Sequence, residues 1–119
     1  MTTLYGIRNC DTIKKACRWL EENGIEYHFH DVRTDGITRA DLQHWMKTLD
    51  WEKLLNRRGT SWRKLPESVR NSISKTSATN IMLDNPAIIK RPVLARGDKL
   101  YLGFSVDSYQ SIFQLQAHS

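Results

Sequence analysis

The chain predicts an α/β domain: a mixed sheet made by an N-terminal strand–helix–strand unit and a C-terminal hairpin with its own helix, with helices inserted between the two. Three observations carry this. The apolar pattern passes from strand to helix and then to a clean period of two within the first 32 residues. Residues 38–84 offer helix caps and helical spacing without a strand signal. Two short apolar runs meet across Arg96-Gly97-Asp98, and a capped helical pattern follows them.

Residues 2–5 form the first strand and residues 6–10 a loop. A helix then runs to about Asn23, where Asn23-Gly24 ends it. Ile13, Ala16, Cys17 and Leu20 recur at i, i+3, i+4, i+7 and make its buried stripe, which places Cys17 in the core; Lys14, Lys15, Arg18, Glu21 and Glu22 face elsewhere. Residues 25–32 form the second strand, with Ile25, Tyr27 and Phe29 on one face and Glu26, His28 and His30 on the other. A strand–helix–strand unit of this length implies a right-handed crossover between parallel strands. It sets Cys10 at the carboxyl end of the first strand, the edge at which open α/β sheets bind ligands.

Thr38-Arg39-Ala40-Asp41 has the form of a capping box, and Leu42, Trp45, Met46 and Leu49 follow at helical spacing. Residues 51–55 add a shorter turn. Pro66 suits a first helical position, and Ser77 is read as the cap of a helix through Leu83. Asn85-Pro86 stops helical structure, because the residue before proline is driven out of the α region. Residues 93–95 and 99–102 make the hairpin, and Ser105 caps a last helix with Val106, Tyr109, Ile112 and Phe113 inward. This order of elements is the outline of a thioredoxin-like fold interrupted by a helical subdomain.

With 119 residues the chain is expected to form one domain, 1–119, with its helical insert at about 38–84, large enough to need neither disulfide nor metal. No apolar run nears the ~18 residues that span a bilayer, and the N-terminus lacks a basic stretch followed by an apolar one. A soluble, cytoplasmic protein with no membrane partner is expected, and there its two cysteines stay reduced. The net charge of +5 permits an anionic partner. Cations gather at 56–64, where Trp62 stands among them, and at 90–92. A solvated surface is the commoner origin of such runs, so nucleic acid is not the expected partner. His28 and His30 share a strand face but lack a third ligand at a recognisable spacing, and no metal is expected.

Cys10 carries the functional reading. A helix start offers unpaired N–H groups and the positive end of the macrodipole, both favouring thiolate over thiol. Asn9, Thr12 and Lys15 are candidates by proximity. Asp11 opposes a low thiol pKa unless its carboxylate turns away. Arg91-Pro92, just before the hairpin, would bring backbone against the thiol if the proline were cis.

The chain resembles the ArsC/Spx family of arsenate-reductase-like proteins, and most closely its YffB-type members. The resemblance rests on Leu4-Tyr5-Gly6-Ile7-Arg8-Asn9-Cys10-Asp11-Thr12-Ile13-Lys14-Lys15-Ala16, Leu54-Leu55-Asn56-Arg57-Arg58-Gly59-Thr60 and Asn85-Pro86-Ala87-Ile88-Ile89-Lys90-Arg91-Pro92, in that order. It implies a redox enzyme in which Cys10 attacks an oxidised substrate and is released by glutathione or a glutaredoxin. Arg91 matches a family arginine. A second lies in the 54–60 stretch, where alignment on Leu54-Leu55 puts Asn56 at its position and leaves Arg57 or Arg58 to serve.

Two departures narrow this. Gly103 stands where arsenate reductases carry a third arginine, which argues against arsenate. Ile13 replaces the second cysteine of the C-x-x-C switch found in regulator members, and Cys17 lies roughly 10 Å along the helix from Cys10, beyond disulfide reach. The expected function is glutathione-dependent reduction of a small-molecule or protein disulfide. Cys10 and Arg91 would be catalytic, and Arg57, Arg58, Pro92, Asn9, Thr12 and Lys15 would bind substrate or glutathione. No tightly bound cofactor is expected. The alternatives are arsenate reduction and a non-catalytic regulator that docks on RNA polymerase, as Spx-type members do.

Overall fold

The structure, a computed structural model, describes residues 1–113. Four strands form one mixed sheet in the order β2-β1-β3-β4, from β1 (Thr2–Gly6), β2 (His28–Asp31), β3 (Val93–Arg96) and β4 (Lys99–Leu102). β1 runs parallel to β2, and both β1–β3 and β3–β4 are antiparallel. The thioredoxin-like α/β class is thus present, and α1 (Asp11–Glu22) makes the crossover between β1 and β2.

Alternation along the central strands divides the interior in two. Leu4 and Leu94 pair in register and face α1 and the last helix, α7 (Val106–Phe113), in a core with Ala16, Trp19, Leu20 and Tyr109. Tyr5 and Val93, one position along, turn to the opposite face. There they meet the inserted helices through Leu42, Trp45, Leu54, Trp62, Met82, Ile88 and Ile89. The insert comprises α2 (Arg39–Trp45), α3 (Trp51–Leu54), α4 (Thr60–Arg63), α5 (Glu67–Asn71) and α6 (Lys75–Asp84), and a 3-10 turn, Pro86–Ile88, leads out of it.

Several expectations are corrected at element ends. β2 begins at His28 rather than Ile25, because Ile25 and Tyr27 pack on the α1 face and residues 25–27 do not pair with β1. The helix ending at Asp84 is capped by Ser74, with Ser77 as the reciprocal partner of a capping box; Ser77 is therefore inside the helix. Pro66 is the N-cap of α5, one place before its first helical residue. The basic stretch 56–64 contains the short helix α4. In α1 the most buried positions are Ile13, Ala16, Trp19 and Leu20, and Cys17 is only half-buried, since Trp19 turns in to meet Tyr109 edge-on at 5.6 Å. Val106 is 47% exposed rather than inward. The Thr38–Asp41 capping box and the Ser105 cap form as expected, the latter through the Ser108 amide at 3.0 Å.

Candidate functional site

Gly6 ends β1, and a Cβ there would overlap Ile13, whose Cγ1 would lie at 2.8 Å. Glycine lets α1 start hard against the strand, and the chain turns through Ile7–Asn9 to make Cys10 the N-cap residue, with φ −94° and ψ 129°. The Cys10 amide donates to the Ile7 carbonyl at 3.2 Å, and the Lys14 amide donates to the Cys10 carbonyl at 3.0 Å.

The turn is clamped by Asp31. This carboxylate is 3% exposed and accepts the amides of Arg8 (3.2 Å), Arg33 (2.8 Å) and Thr34 (3.2 Å). Burial alone would raise its pKa. The three amides and the nearby Arg33 charge outweigh that and hold it below the ordinary carboxylate value. One buried acid thereby ties the cysteine loop to the turn after β2.

On the other side, the Arg91–Pro92 peptide bond is cis, and Arg91 lies beside the thiol. Its Nη1 donates to the carbonyls of Ala87 (2.6 Å) and Ile89 (3.2 Å), while its Nε is buried without a partner. Partial burial pushes the Cys10 thiol up, but the amides of Ile13 and Thr12 and the Arg91 guanidinium favour the thiolate more strongly, and the net pKa is lowered. Asp11 is exposed and is not among the groups that shift it.

These elements enclose a cavity of about 280 Å³ lined by Ile7, Asn9, Cys10, Arg33, Asn56, Gly59, Thr60, Ser61, Ala87, Ile88 and Arg91. Among the described residues no Asp or Glu lines it. Among the residues singled out by sequence, Cys10, Asn9 and Arg91 come together here. Thr12 contributes its backbone amide, and Lys15 is exposed on α1 away from the lining. Pro92 is buried behind Arg91, and its carbonyl accepts the Gly103 amide at 2.9 Å.

Arg57 and Arg58 do not reach the cavity. Arg57 stacks on Trp62 at 5.3 Å and pairs with Glu52 at 3.7 Å, and both arginines line a neighbouring groove with Lys53, Leu55, Asn56 and Lys90. Sequence reasoning missed Arg33, Asn56, Thr60 and Ser61. The alignment on Leu54-Leu55 was the one available signal for Asn56, whereas nothing local marks Arg33, which arrives through the Asp31 clamp. His30 is committed to the Gly36 carbonyl at 2.7 Å and to the Tyr5 ring, and His28 is exposed.

A cysteine at the N-cap position of the first helix of a thioredoxin-like sheet, next to an arginine and a buried proline, belongs to a thiol oxidoreductase fold. The family model described as ArsC family matches residues 5–112, and the chain belongs to that family. A YffB protein of solved structure is 42% identical, with 93% of this chain and 97% of that one covered and a TM-score of 0.89. An arsenate reductase related protein from Brucella melitensis is 50% identical over 95% of this chain and 94% of its own, with a TM-score of 0.77. The global transcriptional regulator Spx of Streptococcus pneumoniae is 26% identical over 113 residues, which is 93% of this chain and 84% of Spx.

Proposed function

We propose that the protein is a thiol–disulfide exchange enzyme that uses Cys10 as nucleophile and glutathione as the thiol that releases it. The observation that carries this is the isolation of Cys10. It faces a cleft whose charged lining residues, Arg33 and Arg91, are both cations, while the other cysteine, Cys17, lines a different cavity between α1 and β2. Two residues seven apart on one helix also stand roughly 10 Å apart along its axis, so the second thiol comes from another molecule.

The chemistry then runs in two exchanges. The Cys10 thiolate attacks one sulfur of a disulfide; the new S–S bond forms as the old one breaks, and the other sulfur leaves as thiolate. A glutathione thiolate next attacks the mixed disulfide, regenerating Cys10 as thiolate and carrying off the first sulfur. Arg91 favours the anionic sulfur at both ends of this cycle, and Arg91 and Arg33 offer guanidinium partners to the carboxylates of glutathione. A glutaredoxin is a second candidate for the releasing thiol. The relative from Brucella suggests arsenate as a rival substrate. Gly103 has φ +87° and contributes no side chain to the cleft, which favours a disulfide over a compact oxyanion needing a further cation.

The test is turnover of a glutathione mixed disulfide in the presence of glutathione. The native protein and Cys17→Ser are expected to turn over, and Cys10→Ser to fall to the uncatalysed rate. Retained turnover in Cys10→Ser, or arsenate turnover faster than disulfide turnover, would remove this reading.

A further inference from the structure

The cleft at Cys10 does not end at its own walls. Asn56 lines both it and the groove of about 410 Å³ formed by Lys53, Leu55, Asn56, Arg57, Arg58 and Lys90. The partition between them is a fixed piece of backbone. Leu55 bridges Ile89, the Asn56 amide donates to the Ile88 carbonyl at 2.8 Å, and the Lys90 amide donates to the Leu54 carbonyl at 2.7 Å. Segments 54–59 and 87–91 thus form walls of both hollows, which share Asn56.

Their charge is uniform. Arg33 and Arg91 line the cleft and Lys53, Arg57, Arg58 and Lys90 line the groove, with no Asp or Glu in either lining. Among the described residues only Arg57 of these six has a salt-bridge partner, Glu52. The Nε of Arg91 is buried and unpartnered, and Lys53, Arg58 and Lys90 are exposed. A small thiol compound has no use for cations in the second hollow once the first is filled. A polypeptide does, because residues flanking its reacting cysteine must leave the cleft along some path.

Building on the thiol-exchange reading, we infer that the oxidised substrate is a polypeptide whose disulfide is flanked by acidic residues, with the disulfide seated at Cys10 and a carboxylate-bearing segment in the 53–58/90 groove. Charge complementarity in such a groove speeds encounter and selects partner sign, and salt weakens it. The exchange step is unchanged: the Cys10 sulfur bonds to one sulfur of the polypeptide disulfide, the other departs as thiolate, and glutathione supplies the electrons for release.

The test uses three synthetic peptides, each with one cysteine held as a mixed disulfide with thionitrobenzoate and flanked by acidic, neutral or basic residues. Thionitrobenzoate release gives the rate at Cys10, with Cys10→Ser as the blank. The acidic peptide is expected to react about tenfold faster than the neutral one at low ionic strength, the basic one slowest, and the spread to shrink at high salt. In a Lys53→Ala/Arg58→Ala/Lys90→Ala variant the acidic-to-neutral ratio should fall close to one. Equal rates for all three peptides would overturn the inference and leave the thiol-exchange reading in place, as would an acidic preference that survives the triple variant. No reaction above the blank with any peptide would overturn both.

Discussion

A thiol at a helix N-cap puts its sulfur where a serine hydroxyl would accept from the second and third amides of the helix. At Cys10 those amides belong to Thr12 and Ile13, and the Arg91 guanidinium adds a positive charge. Arg91→Ala should therefore raise the Cys10 pKa and slow its alkylation at neutral pH by about threefold to tenfold, with Arg91→Lys between. A pH profile of iodoacetamide alkylation checks this, and an unmoved midpoint would contradict it. Asp31 makes a different prediction. Because its folded pKa is depressed, its stabilisation is complete above the unfolded carboxylate value and is lost as pH falls toward the folded one. Asp31→Asn keeps the shape but loses one acceptor, and should cost about 1–3 kcal/mol near neutrality and flatten the acid limb of stability. Urea titrations at several pH values measure both effects. Cys10 was legible because it stands at a strand-to-helix boundary with a chemical reason to be there, and Arg91 because it matches an arginine of the family the chain resembles. Arg33 was not, since it reaches the cleft only through a hydrogen-bond clamp between segments 23 residues apart.

At the scale of elements, long periodic segments were readable and short ones were not. α1 and its crossover declare themselves through a sustained apolar stripe, although the aromatic partner of Trp19, Tyr109, sits on a helix nearly the whole chain away. The insert is made of helices of four to ten residues. In such pieces caps decide the boundaries, and Ser77 was read as the cap because it is a cap-type residue only three places from the true one, Ser74. The Ser77 amide donates to Ser74 Oγ at 3.2 Å and the Ser74 amide to Ser77 Oγ at 2.8 Å. Ser74→Ala should cost about 1 kcal/mol, whereas Ser72→Ala, outside the box, should cost less than about half of that. Equal losses on denaturation would contradict the assignment of the cap.

For the whole molecule, the sheet is a partition shared by two cores, and its central strands contribute to both. Tyr5 meets Trp45 edge-on at 4.9 Å on the insert side, and Leu4 packs with Leu94 and Tyr109 on the other. Trp45→Ala should cost about 3–5 kcal/mol. Since Val93 and Tyr5 belong to β3 and β1, that loss should lower the stability of sheet and insert together. Coincident unfolding by far-UV and near-UV circular dichroism is the expected outcome; an insert that melts first would contradict it. The same arrangement brings four segments to the Cys10 cleft: the β1–α1 turn, the turn after β2 that carries Arg33, the 54–61 stretch of the insert and the approach to β3. The fold class was evident from the order of elements. The separation of Arg57 and Arg58 from the cleft was not, because it depends on the Leu55–Ile89 bridge and the stacking of Arg57 on Trp62.

The central claim is that Cys10 is an exchanging nucleophile, and the two cysteines of one molecule make the most direct measurement. The protein is mixed with limiting oxidised glutathione at neutral pH, and the adduct is mapped by mass spectrometry over time, with Cys17 as the internal reference. Rapid glutathionylation at Cys10, far ahead of Cys17 and reversed by excess glutathione, is the predicted result. Equal or slower labelling of Cys10, or an adduct that glutathione does not remove, would contradict the account.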